Sequence, residues 1–193
     1  MCGRYAIQTG LADLCTKLSA QTALHSAPHS DGATPGGAWP IVIKNRIGCA
    51  QWGFPVFGDG RPMINICSES VHHKPSFAES WHRNRRCLVP ANAFFEWQGK
   101  GKGAQKYRLS YPDYPLFVMA GLWSMVEEKP CFGILTRAAT GAAAEIHPRH
   151  PCVMSIEEGQ AWLGEQEGEA QKNLLFSRDW QVETEGESPN RLI

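Results

Sequence analysis

Arg86-Cys87-Leu88-Val89-Pro90-Ala91-Asn92-Ala93-Phe94-Phe95-Glu96-Trp97 is the stretch on which the fold turns. Its run of apolar, branched and aromatic residues predicts extended chain over Cys87 to Trp97. Strand alternation then sets Phe94 and Glu96 on one face and Phe95 and Trp97 on the other. A carboxylate flanked by so much aromatic surface is unusual. If Glu96 is buried, its charged form is disfavoured and its pKa rises, which suits it to pass protons near neutrality. If it points outward, it pairs with a nearby Lys or Arg instead.

Further β-rich runs lie on either side of this stretch, at Trp39–Ile43, Ile47–Trp52, Met63–Ile66, Tyr107–Ser110, Leu116–Leu122 and Cys131–Thr136, divided by Gly- and Pro-containing turns. Helical spacing is confined to two places. Leu11, Leu14, Cys15 and Leu18 predict an amphipathic helix from Leu11 to Leu24 with Thr9 as N-cap, and Ser155-Ile156-Glu157-Glu158 has capping-box form ahead of a helix through Leu163. Residues 26 to 38 read as a loop. Many short strands and few helices predict an α+β fold: a single β-rich domain with a barrel-like, mainly antiparallel sheet and a few peripheral helices. The domain is expected to span residues 1–193, with 183–193 a mobile tail.

The chain has 193 residues, 42% of them hydrophobic, enough for a sizeable core. No stretch approaches the roughly 18 consecutive apolar residues that span a bilayer, and the start has no signal-peptide pattern, so a soluble, cytoplasmic protein is expected. The 7 cysteines are odd in number, widely spaced and without a C-x-x-C pair, which points to neither a disulfide framework nor a zinc knuckle. The formal net charge is zero, which argues against uniform attraction to nucleic acid. Its distribution is uneven: Lys74, Arg83, Arg85, Arg86 and three histidines face Glu79 alone between Val71 and Arg86, whereas Glu157 to Glu187 is strongly acidic. This describes a local basic patch or, equally, a solvated face.

Four positions carry candidate chemistry. Removal of Met1 would leave Cys2 with an α-amine and a thiol on neighbouring carbons. The amine can condense with an aldehyde to a Schiff base and the thiolate can close a five-membered thiazolidine, an intramolecular step with a large effective-molarity advantage. Asn65, polar between Ile64 and Ile66, could orient a substrate oxygen or the terminal amine, or be a satisfied structural amide. His147 stands in the proline-rigidified Glu145-Ile146-His147-Pro148-Arg149-His150-Pro151, where it could exchange a proton while Arg149 holds a phosphate; a solvated loop histidine is the alternative. A metal site at His147 and His150 lacks a third ligand, and no cofactor is expected.

Taken in order, Met1-Cys2-Gly3-Arg4-Tyr5, Trp52-Gly53, Ile64-Asn65 with Glu69, the Arg86 to Trp97 stretch and Ile146-His147-Pro148-Arg149-His150-Pro151 resemble the SRAP family of SOS-response-associated peptidases, or abasic-site-processing proteins, over about residues 1 to 163. The resemblance implies a covalent thiazolidine cross-link between Cys2 and the aldehyde of an abasic site in single-stranded DNA, with Asn65 positioning and Glu96 and His147 moving protons. The cross-link would shield that DNA from strand cleavage. The resemblance also implies removal of Met1, by the chain itself or by an aminopeptidase, and leaves room for lyase activity. Arg4, Trp52, Phe57, Glu69 and Arg149 are the implied DNA-contacting set, and the expected partner is single-stranded DNA with abasic sites, bound by a monomer away from any membrane. A cysteine-type peptidase pairing Cys2 with His147, and a non-catalytic single-strand-binding module, are the competing readings. The chain departs from the family where Cys67 replaces an arginine, where Ala33-Thr34-Pro35 replaces Asn-x-Ala-Pro, and where Phe57 alone remains of an aromatic pair. These departures subtract phosphate contacts and stacking, the main sources of single-strand affinity.

Overall fold

The computed structural model describes residues 2–55, 60–99, 101–111, 113–164, 170, 174 and 180–185. In chain order it runs β1 (Tyr5–Ile7), α1 (Leu11–Lys17), β2 (Gln21–Thr22), β3 (Ser30–Ala33), β4 (Ala38–Ile43), β5 (Arg46–Trp52), β6 (Asn65–Cys67), α2 (Pro75–His82), β7 (Arg86–Ala91) and β8 (Ala93–Gln98). It continues through β9 (Gln105–Ser110), β10 (Phe117–Val126), β11 (Lys129–Ala138), α3 (Ala142–Ile146), β12 (Arg149–Pro151), β13 (Val153–Met154), α4 (Ile156–Gly164) and β14 (Gln181–Glu185).

The larger sheet follows the order β12-β11-β10-β7-β4-β5-β2, and parallel pairing of β11 with β5 at Cys131↔Gln51 and Phe132↔Trp52 closes five of these strands into a barrel. Closure removes the exposed edges a flat sheet of this size would leave. The expected barrel-like, mainly antiparallel sheet is therefore present. β7 is buried at every residue, as a strand lined by the barrel interior on one side and by α4 on the other must be. Pro90 is tolerated in it because pairing with β4 is limited to Val42↔Leu88, so no ladder partner awaits the missing N–H.

The stretch from Cys87 to Trp97, expected as one extended run, is two strands in two sheets. The chain crosses at Asn92, whose amide donates to Ala6 O at 2.8 Å and whose Oδ1 accepts from Gln8 N at 2.7 Å. Beyond the crossing, β8 is the centre of a second sheet, β14-β9-β8-β1-β3. Its register puts Tyr5 opposite Phe94 and Phe94 opposite Leu109, and these three large residues seal the sheet onto the barrel core.

Four expectations need correction. The first helix stops at Lys17 with Gly10, not Thr9, as N-cap; Ser19 takes a left-handed φ of 47° that ends it, and the Thr9 hydroxyl accepts from Asn92 Nδ2 at 3.2 Å instead. Residues 30–33 within the expected loop form β3, which covers the edge of β1. Glu183–Glu185, placed in a mobile tail, are the end of β14 and pair with Lys106–Arg108 of β9; residues 186–193 lie outside the described residues. The fourth concerns the basic segment from Val71 to Arg86. Arg86 is 2% exposed, held between the rings of Trp81 and Trp162 at 5.2 and 5.5 Å, and donates to Trp162 O at 3.0 Å. Arg83 and Arg85 both face Glu79, at 3.3 and 3.9 Å. Arg86 is thus a core residue, whereas Arg83 and Arg85 are 65% and 30% exposed beside Glu79, which is the solvated face of the two readings rather than a concentrated cationic patch. The late capping box is present as expected, with Ser155 N donating to Glu158 Oε2 at 2.7 Å and Glu158 N donating to Ser155 Oγ at 3.2 Å. Among the described residues, no helix is long and apolar enough to cross a membrane.

Candidate active site

The register of β1 against β8 carries the residues before Tyr5 along the end of β8: Phe95 N donates to Arg4 O at 2.9 Å, so the chain before Arg4 runs beside Glu96 and Trp97. Cys2 is fully buried in the main core cluster, with its Sγ directed at Arg4 O at 3.7 Å. Burial pushes the Cys2 thiol well above its ordinary value, and the neighbouring Glu96 charge pushes it further; the Arg4 carbonyl contact and the amino-terminal charge oppose this only in part. In the chain that retains Met1, the thiol is thus held protonated.

Asn65 opens β6, whose parallel pairing to β11 fixes Asn65 opposite Ile134. Its Nδ2 donates to Cys2 O at 2.8 Å, spanning 63 residues of sequence. Its Oδ1 is buried and has no hydrogen-bond partner among the described residues. An unpaired buried acceptor is costly, and here it stands beside the backbone of Cys2.

Glu96 is 4% exposed, on the inward face of β8 as alternation requires. Burial raises its carboxyl above the ordinary range, against the lowering effects of the amino-terminal charge and of His147. His147 follows α3 in an extended conformation with φ −151° and ψ 139°, as the residue before Pro148 should. Its Nδ1 lies 3.1 Å from Arg149 N and 3.0 Å from Arg149 O. A neutral ring with a free Nδ1 lone pair accepts from that amide, and a ring with a proton on Nδ1 donates to that carbonyl, so either state has a partner in place. Gln98 holds this arrangement together: its Nε2 donates to Glu145 O at 2.7 Å and its Oε1 accepts from Tyr107 OH at 3.1 Å, tying the end of β8 to α3. Cys2, Asn65, Glu96 and His147 therefore converge: Asn65 is hydrogen-bonded to Cys2, and Glu96 feels the charge of His147 and raises the Cys2 thiol.

The expected DNA-contacting residues are placed less uniformly. Trp52 is fully buried, stacked on Phe132 at 6.3 Å and 12°, with its indole N–H donating to Ile64 O at 3.1 Å. It is a core residue and cannot stack on a base. Its neighbour Gly53 has φ 114°, and a Cβ there would lie 2.8 Å from Pro62 Cβ, so the Trp-Gly pair is explained by a turn only glycine can make. Phe57 lies outside the described residues. Arg149 is clamped by Glu69 through two 2.8 Å hydrogen bonds and also donates to Thr136 O and Oγ1. Burial alone would raise the Glu69 carboxyl, but its bonds from Arg149 and from the Ala138 amide bring it below its ordinary value. Arg4 lies with Cζ 5.7 Å from the Trp97 ring centre. Sequence reasoning missed Thr136, fully buried on β11 and donating to Ile66 O at 3.2 Å, and it treated Trp97 only as a neighbour of Glu96. A threonine in an otherwise apolar run, Phe132-Gly133-Ile134-Leu135-Thr136, was the available signal for the first. Among the described residues, no three potential metal ligands cluster.

A family model described as SOS response associated peptidase (SRAP) matches residues 1–185. The abasic site processing protein YoqW of Bacillus subtilis is 28% identical over 180 residues, covering 84% of this chain and 80% of that protein. The abasic site processing protein YobE of the same organism is 27% identical over 180 residues, covering 84% and 82%. Among solved structures, a protein from Bacteroides thetaiotaomicron superposes with a TM-score of 0.84 at 20% identity, covering 99% of this chain and 97% of the other, which bears on the fold.

Proposed function

The chain belongs to the SRAP family, and on that premise we propose that it processes abasic sites by forming a covalent link between Cys2 and the abasic aldehyde of single-stranded DNA. The observation that carries this reading is the 2.8 Å hydrogen bond from Asn65 Nδ2 to Cys2 O beside the buried carboxyl of Glu96.

The chemistry requires that Met1 be removed, because an amide nitrogen cannot condense with an aldehyde. Once freed, the Cys2 amine adds to the aldehyde carbon to give a carbinolamine; protonation of its hydroxyl expels water and leaves an iminium. The Cys2 sulfur then attacks the same carbon, the thiol proton is given up, and the ring nitrogen is left as a secondary amine in a thiazolidine. Glu96, held above the usual carboxylate range by burial, suits the proton delivery and removal these steps need. Asn65 Oδ1, buried and without a hydrogen-bond partner among the described residues, would accept from the freed amine or from a hydroxyl of the opened sugar. His147 can exchange a proton in either tautomer without losing its backbone partner. Ring opening to the iminium followed by addition of water would release the aldehyde and the free Cys2 amine; lyase chemistry would in addition take a proton from the carbon next to the iminium carbon and expel the 3′-phosphate.

Met1 removal by Cys2 itself fits the family description, and removal by an aminopeptidase is the other route to the same amino terminus. The test is to incubate the Met1-processed protein with a single-stranded oligonucleotide holding one abasic site. A heat-stable shifted band on a denaturing gel is expected from the wild type and not from Cys2→Ala. A wild-type protein with a verified Cys2 amino terminus that gives no adduct refutes the proposal.

A further inference from the structure

The outward face of the second sheet carries side chains the site does not use. Alternation points Ala93, Phe95 and Trp97 of β8 away from the main core, where with Ala6 they form a separate apolar cluster. β9 lies alongside with Lys106 opposite Trp97 and Arg108 opposite Phe95. Lys106 Nζ sits 4.1 Å and Arg108 Cζ 5.9 Å from the centre of the Phe95 ring, while Arg4 covers Trp97. Arg4 Nε is buried without a hydrogen-bond partner among the described residues. This cationic and aromatic face begins at Arg4, two residues from Cys2 and so within about 7 Å of chain.

The partners of these cations come from β14. Lys106 pairs with Glu185, and Arg108 Nε lies 4.0 Å from Glu183 Oε2. Glu183 and Glu185 alternate along a strand at roughly 6.8 Å, of the order of one phosphate step in an extended single strand. Glu183 and Glu185 are 51% and 36% exposed, against 23% and 13% for Arg108 and Lys106, so the carboxylates are the solvent-facing members of the pairs and the ones a competing polyanion would displace.

We infer that Arg4, Trp97, Lys106 and Arg108 form a second contact surface for the single strand captured at Cys2, and that Glu183 and Glu185 occupy its cations in the free protein as stand-ins for two phosphates. The inference rests on the proposed function and names where the strand runs after leaving the site. On a chain of zero net charge, this row, once Glu183 and Glu185 are displaced, supplies the local attraction the departures from the family pattern would otherwise remove. Stacking on Trp97 adds a contribution that does not depend on base identity.

The test uses the full chain and a fluorescein-labelled oligothymidylate without abasic sites, about twelve nucleotides long, within the range of single-strand site sizes. Binding is followed by anisotropy across a salt series. The K106Q/R108Q protein is expected to bind more weakly, with a salt slope smaller by about 1.4, or ~0.7 for each phosphate that is no longer neutralised. The E183Q/E185Q protein is expected to bind roughly two- to thirtyfold more tightly, the range that two ion pairs of ordinary surface strength span. Both variants break the same pairs, so a purely structural role for them would weaken binding in both. Parallel weakening, or no change in either, overturns the inference. Failure of the wild type to cross-link abasic DNA overturns the proposed function instead, and is read in a separate assay.

Discussion

Replacing Glu96 with glutamine keeps the shape of the side chain and removes its proton exchange. The carboxyl is 4% exposed, and its pKa is raised chiefly by burial, with the amino-terminal charge and His147 acting against the shift. Two effects on the cross-link compete. Loss of a positioned proton donor and acceptor costs about 10²- to 10⁴-fold in rate, whereas loss of the negative charge eases ionisation of Cys2. Because burial is the larger cause of the upward shift at Cys2 and Glu96 the smaller, the second effect is the weaker and E96Q should be slower. Stability should move the other way. A carboxyl whose folded pKa exceeds its unfolded value of about 4.3 favours folding fully below that value and loses this contribution as pH rises through the folded pKa. Glutamine has nothing to lose, so the Tm difference between E96Q and the wild type should grow as pH is raised. Adduct formation on denaturing gels at a series of pH values, with calorimetric melts in the same buffers, reads both. A variant with the wild-type rate and pH profile would remove Glu96 from the proton path, and a Tm difference that falls with rising pH would contradict its upward-shifted pKa.

Two further outcomes separate structural from binding roles. Trp52→Ala should lose about 3–5 kcal/mol of stability, as truncation of a large buried aromatic side chain does, measured by urea unfolding; a stable variant that had lost only DNA binding would restore Trp52 as a stacking residue. Glu69→Gln should loosen the clamp on Arg149 and steepen the salt dependence of oligothymidylate binding by about 0.7, the increment for one more neutralised phosphate; an unchanged slope would mean that Arg149 serves only to brace β12 against β11.

What the sequence made legible was local, and what it hid was a matter of partners. Alternation in Phe94-Phe95-Glu96-Trp97 was enough to put Glu96 and Trp97 on opposite faces, though not to say which face is inward, and Ser155 with Glu158 announced the start of α4, because those signals depend only on neighbouring residues. β3 was hidden because Ser30-Asp31-Gly32-Ala33 has little strand propensity of its own and is extended by pairing with β1. The break at Asn92 was hidden because both flanks are equally apolar, and only the Ala6 and Gln8 hydrogen bonds, from 84 or more residues away, show where one sheet ends. Cys2 and Asn65 were each ambiguous alone, and the hydrogen bond between them is a consequence of barrel closure, which sets β6 against β11. Charge was misleading for the same reason: Arg86, Arg85 and Arg149 count as cations in the sequence, yet tryptophan rings, Glu79 and Glu69 have already claimed them. Lys106 and Arg108 are paired as well, with two carboxylates on the last strand, and what sets them apart is their place over Phe95 on the face that begins at Arg4 and Trp97.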